Sequence, residues 1–220
     1  LAGEELESDE VSFHRRVGQL PDRQLQVPRN VVAGPLTLIT TRRFLDERGW
    51  FSETYVERLW REAGVEARFV QDNHSFSALV GTIRGIHFQL PPHAQGKLVR
   101  CARGRILDYA IDLRSGSPTY GKFEAVELSA DNGLQLFIPA GFGHAFVTLE
   151  RDCDVVYKVD DYYAPQLDAG IRWDCPDIGI DWPLPASGPV LSTRDAQLPY
   201  LRNFESPFEY DGRPLNRPGA

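Results

Sequence analysis

Two short stretches hold most of the side chains able to grip an anion or move a proton. The first runs Gly81-Thr82-Ile83-Arg84-Gly85-Ile86-His87-Phe88-Gln89 and continues, after Leu90, as Pro91-Pro92-His93-Ala94-Gln95-Gly96-Lys97. The second is Gly133-Leu134-Gln135-Leu136-Phe137-Ile138-Pro139-Ala140-Gly141-Phe142-Gly143-His144. Pro139 and Gly141 make a tight turn, which places His144 at the start of the next strand. His87 and His144 are good metal ligands, but their neighbours are not. Gln89 is a poor ligand for a transition metal, and the ammonium of Lys97 repels a divalent cation. The blocks therefore point to anion chemistry, with no bound metal expected. The chain carries a formal charge of −7, so a phosphorylated ligand needs its cations gathered in one pocket against the global field. The same balance argues against non-specific nucleic-acid binding, which needs a broad basic surface.

Strands are the elements that must present these blocks. In Ile106–Leu113 the apolar Leu107, Tyr109, Ile111 and Leu113 alternate with Asp108, Ala110 and Asp112, the period of a half-buried strand. Turn signals follow at Ser115-Gly116-Ser117-Pro118 and Asp131-Asn132-Gly133. Further strands are expected over 123–128, 134–138, 145–149 and 154–159. One helix is expected early: Ser52 can cap it, Tyr55, Val56, Leu59, Trp60 and Ala63 recur at helical spacing, and Gly64 can end it. Many short strands with one early helix predict an all-β fold, a double-sheet sandwich or jelly roll with a few short helices. No GxGxxG or P-loop pattern is present, which argues against a dinucleotide-binding α/β fold.

The 220 residues, 42% of them hydrophobic, suit one domain with tails. An extension over 1–30, a domain over 31–205 and a tail over 206–220 are expected. The first ten residues hold five acids and no basic, apolar leader, and no apolar run reaches the roughly 20 residues that cross a bilayer. Cys101, Cys153 and Cys175 are too few and too scattered for a disulfide framework or a zinc site. A cytoplasmic protein without membrane attachment is expected.

The second block fits the second cupin motif, with Thr148 where that motif continues to an Asn. The first block is a degraded form of the other cupin motif: where metal-binding cupins show His-x-His and a later Glu, this chain has His87-Phe88-Gln89 and Lys97. More specifically, Arg84 to Gln89, Pro91 to Arg100 and Ser117-Pro118-Thr119-Tyr120-Gly121-Lys122 resemble the dTDP-4-dehydrorhamnose 3,5-epimerase family. Gln71-Asp72-Asn73-His74-Ser75, Pro139 to His144, Tyr157 to Tyr163, Gly170-Ile171-Arg172-Trp173-Asp174 and Ile180-Asp181-Trp182-Pro183 continue the resemblance in the family's order, over roughly residues 35–200.

The resemblance implies a cupin-like jelly roll and an isomerase that inverts C3 and C5 beside the C4 ketone of dTDP-4-keto-6-deoxyglucose. His87 matches the family's base and Asp195 the carboxylate that fixes its tautomer. Tyr157 matches the acid, and Lys97 the residue beside the developing enolate. No cofactor is implied, because the ketone itself acidifies the neighbouring carbons. Arg84 and Arg48 match diphosphate contacts; Glu53, Gln71, Asp72 and Asn73 match positions around the thymidine; His144 matches a substrate contact. Asp168 and Arg194 stand where the family usually has Glu and Lys, which keeps charge but changes reach. A homodimer is also implied, with the segment around Arg48 and Glu53 reaching the neighbouring site. Epimerisation at a single carbon and non-catalytic binding of a sugar nucleotide are the competing readings; a metal-dependent cupin oxygenase lacks its ligand set. His14, His74 and His93 are read as surface or structural residues, and Trp173 and Trp182 as packing.

Overall fold

A computed structural model describes residues 34–213 and 215. The extension expected over 1–30, with His14, lies outside the described residues. The strands in chain order are β1 (Thr37–Thr40), β2 (Phe44–Asp46), β3 (Gly49–Phe51), β4 (Gln71–Ser77), β5 (Ile83–Gln89) and β6 (Lys97–Arg103). They continue with β7 (Arg105–Asp112), β8 (Phe123–Ser129), β9 (Leu134–Ile138), β10 (Phe142–Thr148), β11 (Cys153–Val159) and β12 (Asp168–Gly170). One antiparallel sheet has the order β1-β9-β6-β11-β4 and a second the order β12-β5-β10-β7-β8, while β2 and β3 form a separate hairpin. This is the all-β, cupin-like jelly roll. Among the described residues no helix is long and apolar enough to cross a membrane.

Alternation along each strand divides the apolar residues into three layers. Between the sheets lie Val99, Cys101, Leu136, Ile138 and Val155 from one side, and Ile106, Ala110, Leu128, Phe142 and Phe146 from the other. The outer face of the second sheet packs Ile83, Tyr109, Ile111 and Val147 against Ile171, Cys175, Trp182, Leu201 and Phe208 of the C-terminal segment. The outer face of the first sheet packs Leu98 and Phe137 under Leu59 and Trp60 of the helix α1 (Glu57–Glu62).

The expected strands and turns are present, with three differences. Strand β7 is not half-buried: Asp108 and Asp112 are as fully covered as Tyr109 and Ile111. Its polar face points between the sheets rather than to water, because the C-terminal segment covers the other face. Asp112 is satisfied by specific partners, as a buried charge must be, whereas Asp108 meets His144 through Oδ1 and its buried Oδ2 has no hydrogen-bond partner. Arg114 donates to both Asp112 oxygens at 2.9 Å, and Ser117 and Thr119 donate to Oδ2 at 2.7 Å. Strand β10 starts at Phe142 rather than 145. The helix is also shorter than its apolar spacing predicts. Val56 occupies its N-cap without a side-chain bond, Gly64 (φ +91°) follows its C-cap, and Ser52 does not cap it. Tyr55 is drawn off the helical path by edge contacts with Trp60 and Phe69. Of the tail expected over 206–220, the described part is anchored by Phe208 in the outer layer and by a 2.6 Å ion pair from Arg114 to Asp211.

Candidate active site

Where the inner layer gives way to polar residues, the two sheets enclose a cavity of about 660 Å³. Strand β4 contributes Gln71, Asn73 and Ser75, β6 contributes Lys97, and β11 contributes Tyr157, all from the first sheet. The second sheet contributes Arg84, His87 and Gln89 from β5, His144 from β10 and Asp168 from β12. Ser192, Arg194 and Asp195 close it from the C-terminal segment.

The local sequence explains how these groups are held. Gly85 lies so close to β10 that a Cβ would meet the Ala145 Cβ at 2.5 Å and the His144 carbonyl oxygen at 2.6 Å. Only glycine allows β5 to run there with φ +129° and still present Arg84 and His87 on either side. Ser192 Oγ accepts from the Asp195 amide at 3.0 Å, starting the short 3-10 turn Asp195–Gln197 that delivers the carboxylate.

His87 Nε2 lies 2.7 Å from Asp195 Oδ1, and the Gly85 amide donates to Oδ2 at 3.4 Å. Burial raises the Asp195 pKa, but the hydrogen bond and charge of His87, with the Gly85 amide and Ser192, outweigh it and hold the carboxyl below its usual range. An ionised carboxylate only accepts, so Nε2 donates and Nδ1 is the nitrogen left to take a proton. His144 repeats the pattern deeper down, with Nε2 2.8 Å from Asp108 Oδ1. Burial nonetheless pushes its pKa down, against the opposing charge and hydrogen bond of Asp108, so the ring is held toward its neutral form.

Lys97 is buried and donates to the His87 carbonyl oxygen at 3.2 Å. Burial lowers its pKa to about 8, with Asp108 and Asp168 pulling the other way. Burial raises the Tyr157 hydroxyl, which Arg84 partly offsets, so the phenol keeps its proton at neutral pH. An imidazole on one sheet and a phenol on the other, with an ammonium between strands, can take a proton from one face of a ligand and return one from the opposite face. The same ammonium can stabilise an oxyanion formed in between.

The mouth is cationic and tied back. Arg84 donates to Ser77 Oγ at 3.1 Å and to the Phe76 carbonyl at 2.8 Å. Arg194 pairs with Asp168 at 2.8 Å, whose other oxygen accepts from the Tyr163 hydroxyl at 3.0 Å. Among the described residues no three His, Cys, Asp or Glu side chains gather as a metal site.

Ten of the residues singled out in the sequence therefore line one cavity: Gln71, Asn73, Arg84, His87, Lys97, His144, Tyr157, Asp168, Arg194 and Asp195. Three do not. Arg48 sits in the turn of the β2–β3 hairpin, bonded to Asp46, and Glu53 follows that hairpin. Asp72 alternates to the outer face of β4 and pairs with Lys158. His74 also faces outward, 2.8 Å from Asp154, and His93 is 3.1 Å from Asp161. Trp182 packs on Tyr109 and donates to the Trp173 carbonyl. Thr148 is buried, accepting from the Thr82 amide and donating to the Leu79 carbonyl. Sequence reasoning passed over Asp108, whose only signal was an acid inside an apolar strand, and Tyr163, which lay in a quoted motif without a role.

A family model described as dTDP-4-dehydrorhamnose 3,5-epimerase matches residues 31–203. A dTDP-4-dehydrorhamnose 3,5-epimerase of Sinorhizobium fredii is 50% identical over 173 residues, covering 79% of this chain and 88% of its own. The crystal structure of the Bacillus anthracis dTDP-4-dehydrorhamnose 3,5-epimerase, with TDP and PPi bound, is 45% identical with a TM-score of 0.72, covering 75% of this chain and 93% of that one. The Legionella pneumophila dTDP-6-deoxy-D-glucose-3,5-epimerase, in complex with dTDP-4-keto-L-rhamnose, is 38% identical with a TM-score of 0.75, covering 80% and 95%. The matched residues 31–203 include His87, Lys97, His144, Tyr157 and Asp195, and the chain belongs to the dTDP-4-dehydrorhamnose 3,5-epimerase family of isomerases.

Proposed function

We propose that the chain inverts C3 and C5 of dTDP-4-keto-6-deoxyglucose to give dTDP-4-keto-rhamnose. The observation that carries this is the His87–Asp195 pair at 2.7 Å on one wall of a cavity whose other wall holds Tyr157 and Lys97. His87 removes the proton beside the C4 ketone; Asp195 holds the ring and stabilises the imidazolium that forms. Lys97 meets the enolate oxygen, and Tyr157 returns a proton from the opposite face. Repeating the cycle at the second carbon completes the inversion. Arg84 and Arg194 receive the diphosphate, with Asp168 holding Arg194; Gln71 and Asn73 receive the thymidine, and His144 the sugar end.

A homodimer is part of this proposal. It is supported by the β2–β3 hairpin, which exposes Leu45 (74%), Trp50 (54%) and Phe51 (65%) and carries Arg48 and Glu53 away from their own chain's cavity. Burying three such side chains against a second copy removes a large apolar surface from water, and brings Arg48 and Glu53 to the neighbouring mouth. A monomer in sedimentation at micromolar concentration would remove this part of the proposal. The cytoplasm is the setting proposed, supported by three cysteines that are all free and buried.

The test is incubation of chelator-treated protein with dTDP-4-keto-6-deoxyglucose in deuterated water, read by NMR at both carbons. Deuterium at C3 and C5 is expected. Deuterium at one carbon alone would reduce the activity to a mono-epimerase, and none at either, with dTDP still bound, would leave a binding protein.

A further inference from the structure

We infer that Gln89 is a positioning residue for the cavity mouth, holding the 160–164 loop so that Tyr163 and Asp168 stand where the nucleotide end of the ligand enters. Gln89 closes β5, is 4% exposed and lines the cavity. Its amide is committed to backbone groups of two loops. Nε2 donates to the carbonyl oxygens of His93 and, at 3.0 Å, Tyr162, while Oε1 accepts from the Ala164 amide at 2.8 Å. Both donor hydrogens and one acceptor site are thereby used, so this side chain is tied to the loops rather than offered to a ligand.

What the amide holds leads directly to the mouth. Tyr163 lies between its two partners in the second loop. The Tyr163 amide donates to Gln71 Oε1 at 3.1 Å, and its hydroxyl donates to Asp168 Oδ2. Asp168 sits opposite Gln89 in the β12–β5 register and pairs with Arg194. The loop otherwise exposes Tyr162 (65%) and Tyr163 (55%) to water, so little apolar packing fixes it. Gln95, donating to the Asp161 carbonyl at 2.8 Å, and Asp160, accepting from the Gly96 amide at 2.6 Å, fix only its leading end. Gln89 fixes the end that carries Tyr163.

Two substitutions separate this role from general stability. Gln89→Met keeps the length and removes all three bonds. Gln89→Glu keeps the acceptor for Ala164 but turns a carboxylate toward two carbonyl oxygens. The inference builds on the proposed epimerase reaction, so one readout is independent of turnover. In Gln89→Met, hydrogen exchange at the Ala164 amide is expected to speed up by at least about tenfold while β6 and β11 keep their protection. Unchanged exchange there would overturn the inference. In turnover of the dTDP-keto sugar, both variants are expected to raise KM about tenfold, the order for lost hydrogen bonds, with kcat within about twofold. Gln89→Glu should recover part of its KM as the pH is lowered, because a protonated carboxyl can donate one bond again; Gln89→Met should not. A fall in kcat at unchanged KM would place Gln89 at the reacting carbons and overturn the positioning role. If either variant does not fold, Tyr163→Phe, which breaks only the last link to Asp168, is expected to raise KM in the same direction, and an unchanged KM there would count against the inference. A wild-type protein inactive on this sugar would sink the proposed reaction and leave the exchange result standing.

Discussion

Replacing Asp195 by Asn tests the acid–base assignment most directly, because it removes one charge and almost no volume. The carboxylate side chain is 5% exposed, accepts from His87 at 2.7 Å, and also receives the Gly85 amide. A hydrogen bond to an ionised group is worth about 1.5–3 kcal/mol, so losing it as His87 becomes an imidazolium slows proton removal about 10- to 150-fold. The amide can do further harm by donating to Nε2, which forces the proton onto Nδ1 and blocks the nitrogen assigned to the substrate. The same change in the serine-protease triad, through the same tautomer fault, costs about 10⁴. The expected loss in kcat therefore lies between about 10² and 10⁴, with KM changed by less than about threefold. Proton washout from substrate in deuterated water, followed by NMR, measures the step. Urea unfolding supplies a second check. The folded pKa of Asp195 is held below its ordinary value, so its stabilising contribution is present above about pH 4 and fades as the pH falls through the folded value. The stability gap between wild type and Asp195→Asn should narrow in that direction. Washout within a few-fold of wild type would refute the assignment of His87 and Asp195 as the base pair.

Tyr157→Phe is expected to slow product formation by at least about 10², the usual worth of a positioned acid, while deuterium washout falls far less; equal losses in both would show that Tyr157 is not the acid. Lys97, pushed down to about 8 by burial, loses its charge as the pH rises through that value. The wild-type kcat should therefore fall on an alkaline limb near pH 8, and Lys97→Met should be slow without that limb. Gly85→Ala puts a Cβ 2.5 Å from Ala145 and 2.6 Å from a backbone oxygen, at φ +129°. Overpacking and backbone strain together should cost about 2–4 kcal/mol in chemical denaturation, whereas Gly116→Ala, with open space around its Cβ, should cost about 1–2 kcal/mol from strain alone.

Strand positions were legible because period and turn chemistry agree locally: Gly and Pro punctuate the chain at Ser115–Pro118 and Asp131–Gly133, with alternating runs between them. What covers each face was not. Alternation separates Gln71, Asn73 and Ser75 from Asp72 and His74, but it cannot say which set looks inward, so Asp72 was grouped with its neighbours and lies outside. Asp108 was hidden for the same reason, since an alternating polar face reads as solvent until a second layer is known to cover the other face. Ser52 has the chemistry of a helix cap, but Tyr55 and Val56 are taken by packing against Trp60 and Phe69 before the helix begins. The Gln89 amide is tied to residues more than 70 positions away, a partnership no local pattern encodes.

His87 stands on one sheet and Tyr157 on the other, and beside the cavity an apolar cluster fills the space between the sheets. That filling acts as a spacer, and its thickness fixes the gap across which the two proton carriers must work. Packed sheets stand about 10 Å apart, a distance set by interdigitated side chains. Truncating Val99 or Phe146, neither of which carries a proton, would loosen this layer and let the walls relax partway toward each other, which would detune the acid against the base. Changes in this layer would then shift the ratio of proton removal to proton return as well as stability, so the inner core is a gauge for catalysis as much as a source of folding energy.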